Sequence, residues 1–502
     1  MQKLIMAMMA IGMFMASAAS AAEFQPLGAL GMGGAGVARN QGAYASYWNP
    51  AGLAFEEKTV STKINAGVGL RVSEGLADDV DLLSKVNFDS IKNLSGSSST
   101  SNVTDLIKAL TIVNDIKNKN GNLSINGDAA LGVQIKHIGF GVFGTIEGFA
   151  EPNHIDTENV LPNYNGTGTT TTPSQFANIV TGSPASNVFF SPDQRTDIQT
   201  ALVANGFTGP QATDIINATD KQLAGSGLSA QDVTNTLTKT VAPYFKNPSA
   251  HTIDNNLTSI LTKSLAYVEV PVSYGYPLAL GNFGTLGIGG SLKVVEGRVY
   301  QTQTFLYQSN GVKSEDIVSD MTKNYKDSTN FGIDIGVLWK YQRWLNVGLI
   351  AKNLNTPEFD EPNLKDKSGN EIPNTGGKTK LNPQVRIGVD IDPFDWLSFA
   401  VDMDLTNNDT ILANVPGTAD YTTRNLGGGV EIHPADWLKI RGGLYENLAE
   451  SDIGPVATAG LTIGIKWVTL ELDAAYGLNQ AKYNNQDYPR EARVSLGLNV
   501  QF

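Results

Sequence analysis

The clearest pattern in the chain is a strict alternation of apolar and polar positions. In RVSLGLNVQF, Val494, Leu496, Leu498, Val500 and Phe502 share one face, and Arg493, Ser495, Gly497, Asn499 and Gln501 share the other. Period two over ten residues predicts a β-strand with one greasy and one polar side. The same pattern recurs in NPQVRIGVDID (382–392), WLSFAVDMDLT (396–406) and WVTLELDAAYG (467–477). Their polar faces carry Arg386, Asp390, Asp402, Asp404, Glu471 and Asp473, and Glu431, Lys439, Arg441 and Arg493 fall on the same side in neighbouring strands. Carboxylates cannot be left unpaired in a dry core, so this face is predicted to be wet or ion-paired. The apolar face must then meet something other than a second sheet.

About fourteen such strands are expected, at 59–72, 121–136, 138–150, 264–280, 283–305, 329–340, 344–354, 381–391, 396–406, 421–432, 437–447, 455–465, 467–477 and 489–502. An even number of strands, most of them with the ~9–11 residues needed to cross at a tilt, is what a transmembrane antiparallel β-barrel requires. The connections alternate as well. Tight links (Lys136-His137, Gly281-Asn282, YQR, DPFD, HPAD and Lys466) follow the even strands, and longer loops rich in Asn, Asp, Gly, Thr and Pro follow the odd ones. Short periplasmic turns and long extracellular loops give this alternation, whereas a soluble sandwich has no reason to keep it.

Trp344, Trp396, Trp437 and Trp467 each open a strand directly after a short turn, which predicts one aromatic girdle at the membrane boundary. The alternative is four core tryptophans at hairpin ends. Two loops, 74–120 and 151–263, are long enough to hold domains and mix low-complexity patches with helical patterns such as TDIQTALVANG. They are expected to form an extracellular helical cap or a surface decoration, with Ser229 and Asp232 as one capping box.

Residues 1–22 read as a signal peptide, with Lys3, an apolar run from Leu4 to Met15 and a small-residue cleavage site. The chain has no cysteine, which excludes disulfides and thiol redox chemistry, and its net charge of −13 without a basic cluster argues against nucleic acid. A terminal Phe502 resembles the signal that outer-membrane barrels present to the barrel-assembly machinery.

The N-terminal segment GMGGAGVARNQGAYASYWNPAGLA contains the letters of a dinucleotide-binding fingerprint, but it lacks the preceding strand and following helix that would give them meaning. The segment instead resembles the start of the FadL-like long-chain fatty-acid transporter superfamily, in which a glycine-rich stretch ending in Asn-Pro-Ala forms a hatch inside the barrel. AKNLN and PEF midway, with WLSFAVDMDLT, GGGVEIHPADWLKIRGGLYEN and LDAAYG later, resemble the conjugal-transfer TraF-type branch. The resemblance implies a hatch over 23–58, with Gly31, Gly33, Gly34, Gly36, Asn49, Pro50 and Ala51 in it, and a barrel over 59–502. The hatch is either a folding plug or a moving gate. The resemblance also implies lateral exit through a kinked third strand. Gly139, Gly141, Gly144 and Gly148 there, with Pro271 inside strand four, mark a weak seam or an ordinary bulge.

No GxSxG, HExxH or P-loop pattern is present, and the four histidines lack ligand spacing, so neither an enzyme nor a cofactor or metal site is expected. Asp402 and Asp404 share a face, and lumen ion pairing is preferred there to a bound cation. The expectation is an outer-membrane channel of a Gram-negative bacterium for hydrophobic or amphipathic small molecules, in contact with outer-membrane lipid. Two alternatives are a polar-solute channel lined by the lumen charges and a structural or surface-interaction barrel associated with conjugation or cell contact.

Overall fold

The computed structural model describes residues 23–39, 42–55, 60–73, 97–118, 121–164, 170–305, 323–411, 421–465, 467–483 and 486–501, with scattered positions between 76 and 95. The expected signal peptide (1–22), Lys466 and Phe502 lie outside the described residues.

Fourteen antiparallel strands close into a barrel. In chain order they are β1 Val60–Val72, β2 Leu123–Ile135, β3 Ile138–His154, β4 Ser259–Ala279, β5 Thr285–Phe305, β6 Tyr325–Tyr341, β7 Leu345–Lys352, β8 Gln384–Phe394, β9 Leu397–Asp404, β10 Asn425–Ala435, β11 Leu438–Asn447, β12 Val456–Ile465, β13 Val468–Gly477 and β14 Glu491–Gln501. Each strand pairs with its sequence neighbours, and β1 closes the ring against β14 from Ser61↔Gln501 to Arg71↔Glu491. Full closure leaves no edge strand and satisfies the backbone within the wall.

Alternation sorts the side chains. On β5, Ile288, Leu292 and Val294 are exposed outward, while Ser291, Lys293 and Val295 are buried inward. The outward apolar run on β5 from Leu286 to Val294 ends at Glu296 and Arg298. Nine residues at a tilt of about 40° cover on the order of 20 Å of depth, close to the ~25 Å apolar band of such barrels. Arg298 pairs with Asp327 of β6 just beyond the band, at 2.5 Å.

The structure departs from the sequence expectation at several places, among them the start of β6, at Tyr325 rather than 329, and of β10, at Asn425 rather than 421. β3 and β4 run on to His154 and back to Ser259, beyond the expected ends at 150 and 264. Their inner faces there carry Glu151 and Lys263 and the outer faces carry Pro152 and Thr262 in place of apolar residues, so apolar alternation fails while pairing continues. β8 and β10 run into the expected turns DPFD and HPAD, with register shifts between Ile391 and Phe394 and between Ile432 and Ala435. Pro393 and Pro434 lie within those shifts, where a missing N–H costs no ladder bond. The expected Ser229–Asp232 capping box is only half made: Ser229 accepts from the Gln231 amide. Complete capping boxes, each with proline in the first turn, start three other helices, at Thr172 with Gln175, Ser191 with Gln194 and Thr208 with Gln211.

Counting the short turn Ala45–Trp48 inside the barrel as α1, the insertions at the long-loop end contribute α2 Thr100–Asn118, α3 Pro173–Val180, α4 Pro192–Ala204, α5 Gly209–Leu223 and α6 Ala230–Asn235. They share a core that includes Ile107, Phe176, Ile198, Ile215 and Phe245. A two-residue parallel pairing of Asn93–Leu94 with Asn163–Tyr164 joins the two insertions into one unit.

Asp220 of α5 is the buried anchor of that unit. It accepts hydrogen bonds from the Ser186 hydroxyl (2.7 Å) and the amides of Val188 (2.8 Å), Phe189 (3.3 Å) and Phe190 (3.0 Å), and pairs with Arg195 at 3.1 Å. Burial alone would raise its pKa; the bonds donated by Phe190, Ser186, Val188 and Phe189 outweigh burial and hold it below the ordinary value. Its contribution is therefore complete above the unfolded value of about 4 and is lost as pH falls through the lower folded value. Asp220→Asn is expected to destabilise the cap by about 2 kcal/mol at neutral pH. Hydrogen exchange of α5 should show the difference from wild type shrinking below about pH 4; a difference that grows there would contradict the assignment.

Candidate functional site

The N-terminal segment lies inside the barrel as a buried plug made of short turns at Leu30–Met32 and Gly42–Tyr44, helix α1, and a turn at Pro50–Phe55. It has an aromatic centre. Trp48 is fully buried and donates to the Leu27 carbonyl at 2.8 Å; Phe24 and Tyr47 pack against it, and Phe143 of β3 packs against Tyr47. The sequence expectation placed 23–58 here; 40–41 and 56–58 lie outside the described residues.

The Asn-Pro-Ala motif docks the plug onto the wall. Asn49 is fully buried, donates to the carbonyl of Val337 (3.0 Å) on β6 and to that of Val37 (3.4 Å), and accepts from the Ala51 amide (3.1 Å). Opposite it stand glycines of the wall. A Cβ at Gly336 would overlap the Asn49 side chain, one at Gly289 the backbone of Pro50 and Ala51, and one at Gly287 the Ala51 carbonyl. Removing side chains from the wall lets two backbones approach where ordinary residues would hold them apart. The fingerprint glycines are used in the same way. Gly33 (φ +65°) and Gly34 (φ +76°) adopt left-handed turns, and Gly33 lies against Gly428 and Leu444. Gly31 lies against Gly460 and the Asp473–Arg441 pair.

Charges from the wall complete the attachment. Asp402 on β9 accepts from the amides of Gly36 (2.8 Å) and Val37 (2.9 Å). Arg386 on β8 lies 3.5 Å from both Asp402 and Asp404, donates to the Gly34 carbonyl at 3.3 Å, and faces the Phe24 ring. Arg386 thus fills the place that a cation between the two aspartates would take, and no cluster of potential metal ligands occurs among the described residues. Arg441 pairs with Asp473 at 3.1 Å and approaches Glu431 at 3.6 Å, Lys63 holds Glu471 at 2.7 Å, and Arg39 of the plug pairs with Asp390 (3.2 Å) and Glu431. Lys439, by contrast, is half-exposed and only approaches Glu431, at 3.7 Å. Sequence reading missed Glu23, Arg71 and Glu491, which form a buried chain of pairs at 3.1 and 2.9 Å, and the Glu269–Lys293–Asp334 triad at 2.6 and 2.9 Å. Inward parity on β1, β4, β5, β6 and β14 was the available signal for all but Glu23.

The two sides of the plug differ. Toward the short turns lies a cavity of about 910 Å³ lined by Arg39, Lys63, Asp390, Glu431, Lys439 and Glu471 among others. Toward the long loops the lumen holds an apolar layer of nine buried residues: Phe149, Leu265, Tyr267, Val295, Val299, Phe359, Leu381, Ile411 and Tyr421.

Gly144 and Gly148 do not face Pro271. They pair with Val268 and Ser264, and Pro271 falls opposite Gly141. Register is continuous there, but no pair forms between Phe140↔Val272 and Phe143↔Glu269, because proline has no N–H to give. Trp344, Trp396, Trp437 and Trp467 are all exposed at the short-turn end. Their carbonyls accept from the amides of Asp392, His433, Gly464 and Gln501 on the next strands.

A family model described as "F plasmid transfer operon, TraF, protein" matches residues 46–404. No curated protein matches the chain. The chain is similar in structure to the Ralstonia pickettii toluene transporter TbuX at 10% identity, covering 95% of this chain and 98% of that one, with a TM-score of 0.43. It is similar to a Pseudomonas aeruginosa FadL homologue at 10% identity, covering 97% and 100%, with a TM-score of 0.42. The Pseudomonas putida toluene transporter TodX is similar at 10% identity over 95% and 98%, with a TM-score of 0.41.

Asp402→Ala removes two charge-assisted bonds from the plug. It is expected to cost ~2 kcal/mol locally and to speed exchange of the Gly36 and Val37 amides by about thirty-fold. Lys439→Ala should leave both amides unchanged. Equal protection in the two variants would show that Asp402 does not hold the plug.

Proposed function

The chain belongs to the F plasmid transfer operon TraF protein family, and from its plugged lumen we propose that it is an outer-membrane channel for hydrophobic or amphipathic small molecules, gated by the N-terminal hatch. The apolar layer above the hatch carries the reading. A purely structural barrel has no need of a layer in which five inward wall residues, Phe149, Leu265, Tyr267, Val295 and Val299, meet four apolar residues brought in by the loops. An apolar solute reaching that layer from the long-loop side would leave water there. It would then meet the hatch, whose polar bonds to the wall can be exchanged for water one at a time.

Arg39, Lys63, Asp390, Glu431, Lys439 and Glu471 line the short-turn cavity, whereas the charges that border the apolar layer, Arg71 and the Lys263–Glu361 pair, stand beside Tyr421 and Phe359 and leave the layer itself apolar, which favours an apolar cargo over a polar-solute channel. Sideways exit between β3 and β4 remains part of the proposal. The seam lacks a ladder pair at Gly141 and Pro271, and it sits beside the hatch, where Gly139 meets Ser46 and Leu53 and Gly275 meets Leu53 and Ala54. In this reading the four tryptophans form the membrane girdle at the periplasmic boundary, their amphipathic rings at the headgroups. The second reading, a surface-interaction barrel in conjugation or cell contact, is favoured by one observation: the insertions have a core of their own, independent of the barrel wall.

The test is influx of the apolar fluorophore N-phenyl-naphthylamine into Gram-negative cells expressing the full chain. Influx should exceed that of cells without it, rise further with Asp402→Ala, and fall when Phe140→Cys and Val272→Cys, opposite one another across the seam, are oxidised in this cysteine-free chain. A folded barrel with no added influx in any variant would leave the surface-interaction reading. Unchanged influx through the oxidised seam would remove lateral exit alone.

A further inference from the structure

The loop between β7 and β8 folds back into the lumen instead of standing above it. Its three-residue strands Glu358–Asp360 and Lys378–Lys380 pair antiparallel, with Phe359 opposite Thr379. Alternation gives this small hairpin two faces. Glu358 takes Lys378 at 2.9 Å and Lys380 at 2.7 Å on the exposed side, while Phe359 and Thr379 point inward and are buried.

The inner wall is shaped for that ring. A Cβ on Gly297 of β5 would overlap Phe359, so the wall has a notch where the ring lies. Tyr267 of β4 lies nearly parallel to it, at 8° with centroids 6.1 Å apart. Val295 and Val299 complete the seat. Beside it, Glu361 accepts from Lys263 of β4 at 2.8 Å and from Thr379 at 2.7 Å, and both members of the Lys263–Glu361 pair are buried. Ser328 of β6 accepts from the Asp360 amide at 2.9 Å, and Asn330 donates to the Glu358 carbonyl at 2.5 Å.

We propose that this hairpin is an outer gate, distinct from the N-terminal hatch, in which Phe359 is a stopper occupying the place of a ring-sized apolar solute and the Lys263–Glu361 pair is its latch. The inference rests on the channel reading and adds a second closure to it. Phe359 belongs to the same buried layer that an incoming solute would enter, so solute and stopper compete for one volume. The hairpin's charged outer face is already solvated, so swinging out exposes chiefly Phe359, Thr379, the adjoining Leu381 and the latch, and exchanges the Ser328 and Asn330 bonds for water. A solute that fills the notch restores the contacts that Phe359 gives up, which makes gate opening selective for flat apolar molecules over polar ones of the same size.

The experiment uses the full chain in cells, with N-phenyl-naphthylamine influx as readout. Folded barrel is quantified for every variant by its heat-modifiable migration. Phe359→Ala, which removes the stopper, and, independently, Glu361→Ala, which removes the latch, are both expected to raise influx above wild type. Lys263→Cys with Glu361→Cys, joined by a short bis-methanethiosulfonate crosslinker that releases methanesulfinate as each thiolate is captured, is expected to bring influx down to the level of cells without the chain, and reduction of its disulfides should restore it. Wild-type influx that persists through the linked hairpin would overturn the gate while leaving the channel reading intact. Influx at background in wild type and in every variant would remove the channel reading, and the gate with it.

Discussion

A carboxylate on the inside of a membrane barrel must find a partner, and for Asp402, Asp390 and Glu431 that partner is the N-terminal segment of the chain itself. Asp402 is nearly sealed from solvent and accepts from two hatch amides; Arg386 beside it is held by Asp402, Asp404 and a hatch carbonyl. Remove the hatch, and several wall charges lose partners they cannot replace without water. The wall's polarity and the plug's presence are thus one constraint: each is costly without the other.

The same constraint explains the glycines. A plug bound by hydrogen bonds needs its backbone within about 3 Å of the wall's polar atoms, and ordinary side chains on both surfaces would prevent that. Glycine is therefore placed on both sides of the contact, at Gly31 and Gly33 in the hatch and at Gly336, Gly428 and Gly460 in the wall. The nucleotide-like spacing of the N-terminal glycines follows from this fit. It has nothing to do with phosphate.

Much of the barrel was legible because its information is local. Ten residues of alternation locate β13 or β14 without reference to anything else, and the tryptophans mark where strands begin. Legibility failed where alternation did. The upper ends of β3 and β4 carry Pro152, Thr262 and Ser264 in places where a membrane-facing strand would show an apolar side, so they read as loop. The capping boxes at Thr172, Ser191 and Thr208 were local and readable, yet a less complete one at Ser229 was singled out. The partners of the hatch were not readable at all: Gly36 and Asp402 are separated by 366 positions, and only the barrel's closure brings them together. Phe359 illustrates the same limit, since nothing near PEF indicates that Gly297 is the notch that receives it.

The central claim is that lipid surrounds the apolar face of these strands and the hatch fills what their charged face encloses. Because the chain has no cysteine, single cysteines placed in turn from residue 468 to 477 of β13 in the full-length, membrane-embedded protein give the most direct measurement, using a lipid-soluble and a water-soluble maleimide. The account predicts that the lipid-soluble reagent labels positions 468, 470 and 472, and that neither reagent labels 473, behind the hatch. Ready labelling of 473 by the water-soluble reagent, or loss of the two-residue period in labelling by the lipid-soluble one, would contradict it.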